Sequence, residues 1–146
     1  MIYFDAAYVA KCYLNQPGAD RVRTLARGAD GLTSSEWGRL EFICIVQRHL
    51  REGHLTAREA REVFSEFECD ETAGVWHWIL VTSTLLRRAC DRVRALRRQT
   101  FLRAGDAVHL VTASEHGYRK IYTNNRHMLA SARHFDLVGI DVIALP

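Results

Sequence analysis

The feature that most constrains the fold is an alternation of short apolar runs with longer segments of helical periodicity. The apolar runs of strand length are residues 2–4, 31–33, 75–81, 119–123 and 138–144. Between them, apolar residues recur every three or four positions, as they do on one face of a helix. Strands that are separated by helices pair in parallel, and the helices then cover both faces of the sheet. The sequence therefore predicts an α/β fold of three layers, α/β/α, with a central, mostly parallel sheet.

Helices are expected between these strands, and turn residues indicate where several of them begin and end. The expected helices cover roughly 6–14, 17–29, 36–52, 57–68, 83–99, 105–116 and 125–134. Pro17 suits the first turn of the second helix, and Gly117 suits the end of the sixth. In the third helix the predicted core face consists of Leu40, Ile43, Cys44, Gln47 and Leu50. Cys44 is expected to be buried there, because free cysteine is among the residues most often found inside proteins.

The composition favours one globular domain that spans residues 1–146. Hydrophobic residues make up 48% of the 146 residues, and the two prolines, Pro17 and Pro146, do not divide the chain. No stretch reaches the ~18 uncharged apolar residues of a membrane helix. Asp5 interrupts the first apolar run, which is unlike a secretory signal, so a cytoplasmic location is expected. The four cysteines form no C-x-x-C pair, which argues against a zinc site or a redox motif.

The basic residues are almost all arginine, with 18 arginines among the 20 lysines and arginines. Seven of them lie between Arg87 and Arg103, against the single acid Asp91. Arginine binds phosphate through two parallel hydrogen bonds, so this block is typical of a surface that faces nucleic acid. A solvated helix face in an arginine-rich protein explains the block equally well.

Three acidic residues are the candidate functional residues, and two of them stand at a predicted strand or helix end. Asp5 directly follows the first strand, Glu41 lies among apolar residues of the third helix, and Asp106 begins the sixth. Ligands of open parallel sheets bind at the carboxyl ends of the strands. Three carboxylates on separate elements suit Mg²⁺ or Mn²⁺. For Asp5 taken alone, an ordinary role as a helix cap is an equally simple explanation.

Four segments together resemble the PIN-domain ribonucleases, and more narrowly the VapC toxins of bacterial toxin–antitoxin pairs. They are YFDAAYVAKCYL, TSSEWGRLEF, LRAGDAVHL and YTNNRHMLASA. The resemblance implies that Asp5 and Asp106 are the main Mg²⁺ ligands and that Glu41 completes the acidic cluster. A fourth position, usually aspartate in that family, is Asn125 here. Thr123, and Ser34 or Ser35, match hydroxyl positions that orient the carboxylates, whereas Ala6 replaces a frequent serine.

The resemblance also implies an activity, a set of partners and a PIN-like version of the α/β fold. The expected activity is cleavage of RNA by a water molecule that the metal activates, with Glu41 orienting or deprotonating this water and Asn125 steering it. A cognate VapB-like antitoxin and a homodimer are the expected partners. The candidate RNA-binding residues are Arg87, Arg88, Arg94, Arg98 and Arg126. A PIN-like protein that binds RNA or a partner without cutting, and a nuclease or related hydrolase that acts on DNA, remain open.

Two further features are given a structural role at this stage. His109 lies on the same expected helix as Asp106 and is predicted to be packed or to cap, rather than to be catalytic. Trp76 and Trp78 alternate with apolar residues on one strand, so both are predicted to be in the core.

Overall fold

A computed structural model describes residues 1–144 of the chain. Its elements are β1 Ile2–Phe4, α1 Ala6–Tyr13, α2 Ala19–Arg27, β2 Leu32–Ser35, α3 Glu36–Arg51, α4 Ala57–Thr72, β3 Trp76–Ile79, α5 Ser83–Arg94, α6 Ala104–Glu115, β4 Lys120–Tyr122, α7 Arg126–Ser131, a 3-10 turn Ala132–Phe135, and β5 Val138–Ile140. The sequence predicted each of these strands and the type of each main helix. No helix within residues 1–144 combines the length and the apolar character that a bilayer crossing requires.

The five strands form one parallel sheet in the order β3-β2-β1-β4-β5. The chain first builds outward from β1 through β2 to β3, and it then returns to add β4 and β5 on the other side of β1. The direction of winding therefore reverses between β1 and β4. Such a reversal leaves a crevice at the carboxyl ends of the two strands, where open α/β sheets bind their ligands.

Neighbouring residues of a strand point to opposite sides of the sheet, so each strand places apolar side chains on both faces. Helices cover both faces and bury these side chains. On β1, Phe4 packs into a core that also contains Tyr8, Phe42 and Phe67. Tyr3 packs into the core on the other face, which includes Leu110 and Phe135. These two cores separate three layers, so the predicted PIN-like α/β fold is confirmed.

The predicted inward face of α3 is wrong. Leu40 is 56% exposed, and Cys44 and Gln47 are exposed as well. The buried residues include Phe42 and Val46, which pack against α1 and α4. Apolar residues occur on both sides of α3, so their spacing alone did not decide which side faces the core. Ile43 and Leu50, the other two residues of the predicted face, are only partly buried.

Several predicted element ends also differ from the structure, and three of them have a local cause. Helix α2 begins at Ala19, because Gly18 caps it with a positive φ of 79° and leaves Pro17 outside. Helix α5 ends at Arg94 instead of residue 99, since Leu96 turns inward to pack against the core. Strand β5 stops at residue 140 instead of 144, where the Asp141 side chain accepts a hydrogen bond from a backbone N–H two residues later.

Candidate active site

The predicted acids and Asn125 line one open cleft of about 480 Å³. Asp5 follows β1, Asn125 lies just beyond β4, and Asp106 lies in the first turn of α6. Glu41 is contributed by α3, the helix that follows β2. The cleft therefore lies at the carboxyl ends of the strands, where the reversal of winding is expected to place it. The structure brings together all four residues that the sequence singled out.

Asp5 is a buried carboxylate that is held by two hydrogen bonds, with 4% of its surface exposed. Its Oδ1 accepts from the backbone N–H of Tyr8 at 2.9 Å, which makes Asp5 the N-cap of α1. Its Oδ2 accepts from the hydroxyl of Thr123. Burial raises the pKa of Asp5, and the nearby His109 and these hydrogen bonds offset only part of that rise. The ionised form of Asp5 is thus short of compensating positive charge, which a bound cation would supply.

Asp106 and Asn125 form a hydrogen-bonded pair. The Nδ2 amide of Asn125 donates to Oδ1 of Asp106 at 3.0 Å, while the other oxygen, Oδ2, is buried and has no hydrogen-bond partner within residues 1–144. The amide oxygen of Asn125 accepts from the backbone N–H of His127 at 2.9 Å and caps α7. Only an oxygen can accept this bond, so the amide orientation is fixed by its surroundings. Asn125 therefore presents a donor, and not its carbonyl oxygen, to Asp106.

Glu41 is positioned by a chain of hydrogen bonds that runs into the core. Its Oε2 lies 2.9 Å from Nε2 of His109, whose Nδ1 lies 3.0 Å from the hydroxyl of Tyr3. His109 is 2% exposed, so its predicted packed role is confirmed. Its role as the partner of Glu41 was missed. The available signal was its spacing of three residues from Asp106, which places both side chains on the same face of a helix.

Two glycines make room for this arrangement. A Cβ atom at Gly38 would lie 2.5 Å from Oγ of Ser34 and 2.7 Å from Cε1 of His109. A Cβ atom at Gly105 would lie 2.8 Å from Oε1 of Glu41. A side chain at either position would displace the carboxylate or its histidine partner, because these distances are shorter than any normal contact.

The hydroxyl residues of the predicted site have different roles. Thr123 donates to Asp5 and accepts from the backbone N–H of Asn125 at 2.9 Å, so it joins the two sides of the cleft. Ser35 caps α3 by accepting from the backbone N–H of Gly38 at 3.0 Å. Ser34 is buried, and its Oγ has no hydrogen-bond partner in the described part of the chain. Ser34 thus makes no hydrogen bond that orients a carboxylate.

None of the predicted RNA-binding arginines lines the cleft. Arg88 forms an ion pair with Glu115, and Arg87 donates to Thr84 at 3.1 Å. The other three, Arg94, Arg98 and Arg126, are exposed, and Arg126 directly follows Asn125 of the cleft. The arginines that do line the cleft are Arg48 and Arg51, on α3.

The residues of the cleft fit a hard divalent cation better than a zinc-type centre. Within residues 1–144, no three His, Cys, Asp or Glu side chains form a ready-made metal cluster. Mg²⁺ does not require one, because it keeps several waters and is usually held by one or two carboxylates together with substrate phosphate. Asp5 is buried with its charge poorly compensated, and Asp106 has a buried oxygen without a hydrogen-bond partner in the part of the chain that the structure describes. These two carboxylates are the donors that best fit such an ion.

The fold is that of the PIN-domain toxins. The search against family models finds no match, and no curated protein matches the sequence. Solved structures match nearly end to end, at sequence identities that establish the fold and nothing finer.

Three of these structures illustrate the likeness. VapC20 of Mycobacterium tuberculosis, described as a toxin that cleaves the sarcin-ricin loop, has a TM-score of 0.71 at 14% identity, over 90% of this chain and 95% of that one. FitAcB from Neisseria gonorrhoeae has a TM-score of 0.71 at 15% identity, over 99% and 100%. VapBC2 from Rickettsia felis, bound to a DNA fragment from its promoter, has a TM-score of 0.66 at 12% identity, over 97% and 98%.

Proposed function

We propose that this protein is a metal-dependent endoribonuclease and the toxin of a toxin–antitoxin pair. The observation that carries the proposal is the convergence of Asp5, Glu41 and Asp106 in one cleft of a PIN-like fold, with an oxygen of Asp106 that is buried and has no hydrogen-bond partner among the described residues. The likeness to VapC20, which is described as an RNA-loop-cleaving toxin, supports RNA as the substrate. The proposed cofactor is Mg²⁺ or Mn²⁺, held by Asp5 and Asp106 with Glu41 nearby.

The side chains of the cleft would supply the negative charge that holds the metal ion, and they would orient the attacking water and the metal ligands. A bound divalent cation supplies Lewis-acid stabilisation of the phosphate and lowers the pKa of water. Glu41, fixed by His109, orients or deprotonates the attacking water, because its Oε1 is not held by that histidine. Asn125 holds Asp106 in place and in this way fixes the position of one ligand. No side chain of the cleft needs to form a covalent intermediate.

The proposed partners are a cognate antitoxin of the VapB type and a second copy of the chain. The solved relatives include FitAB and VapBC2, both described as bound to DNA fragments. A segment of the antitoxin that covers the cleft would block access to the three acids. Homodimerisation and a cytoplasmic location remain predictions of the same proposal.

The direct test is an RNA cleavage assay with the purified protein. We expect cleavage with Mg²⁺ or Mn²⁺ and none with EDTA, and we expect Asp5→Ala to lose activity by at least about 100-fold, since loss of a group that only orients a metal ligand already costs about 10–100-fold. Asp30→Ala is the matched control, because Asp30 is exposed and lies outside the cleft. Equal cleavage by Asp5→Ala and wild type would refute the assignment.

A second candidate function is binding of RNA or a partner without cleavage. It is favoured by the donor that Asn125 directs at Asp106, where the related toxins usually have a fourth acid. If wild type is inert while Asn125→Asp cleaves RNA, this second function is the correct one. Parallel assays with single-stranded RNA, structured RNA and DNA of the same sequence test the remaining alternative, a DNA-directed nuclease.

A further inference from the structure

A nucleic acid has to approach a cleft whose floor carries three acidic side chains. Asp5, Glu41 and Asp106 repel a polyanion, and one divalent cation would offset only part of their charge. The arginines among the described residues that line the cleft are Arg48 and Arg51. They follow Glu41 on α3 by seven and ten residues, which places them about 10 Å and about 15 Å further along the helix. The cleft thus has an acidic floor and a basic extension to one side.

Both arginines are available to a ligand. Arg48 is exposed, and its guanidinium makes no hydrogen bond or ion pair within residues 1–144. Arg51 is exposed as well, and its contact is with the neighbouring Glu52 at 3.8 Å. A surface contact of this kind contributes little. Neither guanidinium is therefore committed to holding the fold together.

Lys11 of α1 does not extend this basic side. It is not among the described residues that line the cleft, and it is only 7% exposed. Its ammonium donates to Oε1 of Gln16 at 3.2 Å, and Gln16 in turn contacts His49 of α3 at 3.0 Å. Lys11 therefore belongs to the packing of α1 against α3.

The arginine-rich helix α5 differs in this respect. Arg88 pairs with Glu115, and Arg92 donates to Asp136 at 2.9 Å. Arg92 also lies over the ring of Phe135. These two arginines of α5 therefore hold this helix against its neighbours, and no arginine of α5 is among the described residues that line the cleft.

We propose that the groove between α1 and α3 is a subsite for the RNA backbone, in which Arg48 and Arg51 bind the phosphates next to the one that is cut. The proposal rests on the proposed function, since it assigns the path of that substrate. The RNA strand would leave the acidic floor along α3, where two guanidinium groups have the geometry to bind phosphate oxygens through paired hydrogen bonds. The arginines of α5 lie off this path.

The test measures RNA binding without cleavage, so that it does not depend on catalysis. A fluorescent single-stranded RNA is titrated in EDTA at several salt concentrations with wild type, Arg48→Gln/Arg51→Gln, and the matched control Arg97→Gln/Arg98→Gln. The control removes the same charge from exposed positions near the end of α5. Each lost phosphate contact lowers the slope of log affinity against log salt by about 0.7 for a single strand. We expect the cleft variant to lose about 1.4 in slope and about tenfold in affinity at ~0.15 M salt.

Lys11→Met is a second control that keeps the apolar stem of the side chain, since Lys11 is nearly buried and is not among the described residues that line the cleft. It is expected to lower the slope by less than the value of about 0.7 for one lost contact, and its melting curve shows whether it is folded. In cleavage assays the arginine variant is expected to raise the KM for RNA more than it lowers kcat.

The possible outcomes separate this inference from the proposed function. A loss confined to the cleft variant supports the subsite even if no protein cleaves RNA. The same loss with DNA of equal sequence also supports it, because the contacts are to the backbone. An equal or larger loss in the α5 control, or no RNA binding by wild type, overturns it.

Discussion

The exchange of Asn125 for aspartate tests how the site is held together. In the structure its amide donates to Asp106 at 3.0 Å. Asn125→Asp removes a hydrogen bond to a charged acceptor, which is worth about 1.5–3 kcal/mol. It also creates two carboxylates about 4 Å apart, which repel by about 4 kcal/mol at an effective dielectric constant of about 20. Rotation of either side chain relieves part of this, so we expect a net loss of about 3 kcal/mol and of about 10 °C in Tm without metal.

Divalent metal is expected to reverse this loss. An ion present at about 100 times its Kd stabilises the folded state by about 2.7 kcal/mol. We therefore expect Mg²⁺ to raise the Tm of Asn125→Asp more than that of wild type, as measured by calorimetry in EDTA and over a Mg²⁺ titration. Asn124→Asp is the matched control, since it adds the same charge at an exposed neighbouring position. If Asn125→Asp melts with wild type in EDTA and responds to Mg²⁺ no more than this control, Asn125 does not hold Asp106.

Three further predictions concern the buried acid and the two glycines. Because burial raises the pKa of Asp5, its ionisation destabilises the metal-free fold; the contribution of Asp5 to stability is therefore fully present below its unfolded pKa and is lost as pH rises through the folded pKa. Asp5→Asn should then melt at a higher temperature than wild type at neutral pH in EDTA, and its Tm should no longer respond to Mg²⁺. An unchanged melting curve would contradict this. Gly38→Ala should cost about 1–3 kcal/mol in denaturant unfolding through overpacking, whereas the control Gly28→Ala, which meets only ordinary contacts, should cost less. Gly105→Ala should shift Glu41 and lower kcat for RNA with little change in KM, and a change confined to KM would argue against it.

The parts of the site that follow from local sequence were the parts that sequence analysis predicted. Asp5 follows a short apolar strand, and Asp106 begins a helix next to a glycine, so their positions depend on boundaries within a few residues. The resemblance to PIN-domain ribonucleases then predicted that Glu41 and Asn125 belong to the same site. The structure confirms the fold and brings these residues into one cleft, while metal binding and RNA cleavage remain predictions.

The parts that depend on packing between distant elements were not predicted. The prediction of which face of α3 is buried was wrong. Apolar residues such as Leu40 and Phe42 lie on both sides of this helix, and only the neighbouring helices decide which side is buried. The link between Glu41 and His109 joins residues 68 positions apart, on α3 and α6. Composition also does not locate charge in space. The arginine-rich block stood out in the sequence, but Arg48, which lies outside it, is among the described residues that line the cleft.

The residues of the cleft come from segments that are far apart in the sequence, and this has a consequence for a chain that is still being synthesised. The residues arrive from β1, α3, α6 and the turn after β4, so the hydrogen bond between Thr123 and Asp5 joins positions 118 apart. A parallel sheet wound in this way forms through contacts between distant segments, which form late. Until a ribosome has added Thr123 and Asn125, Asp5 lacks its hydroxyl partner and Asp106 lacks its amide partner. A nascent chain that stops before these residues therefore cannot hold the complete site.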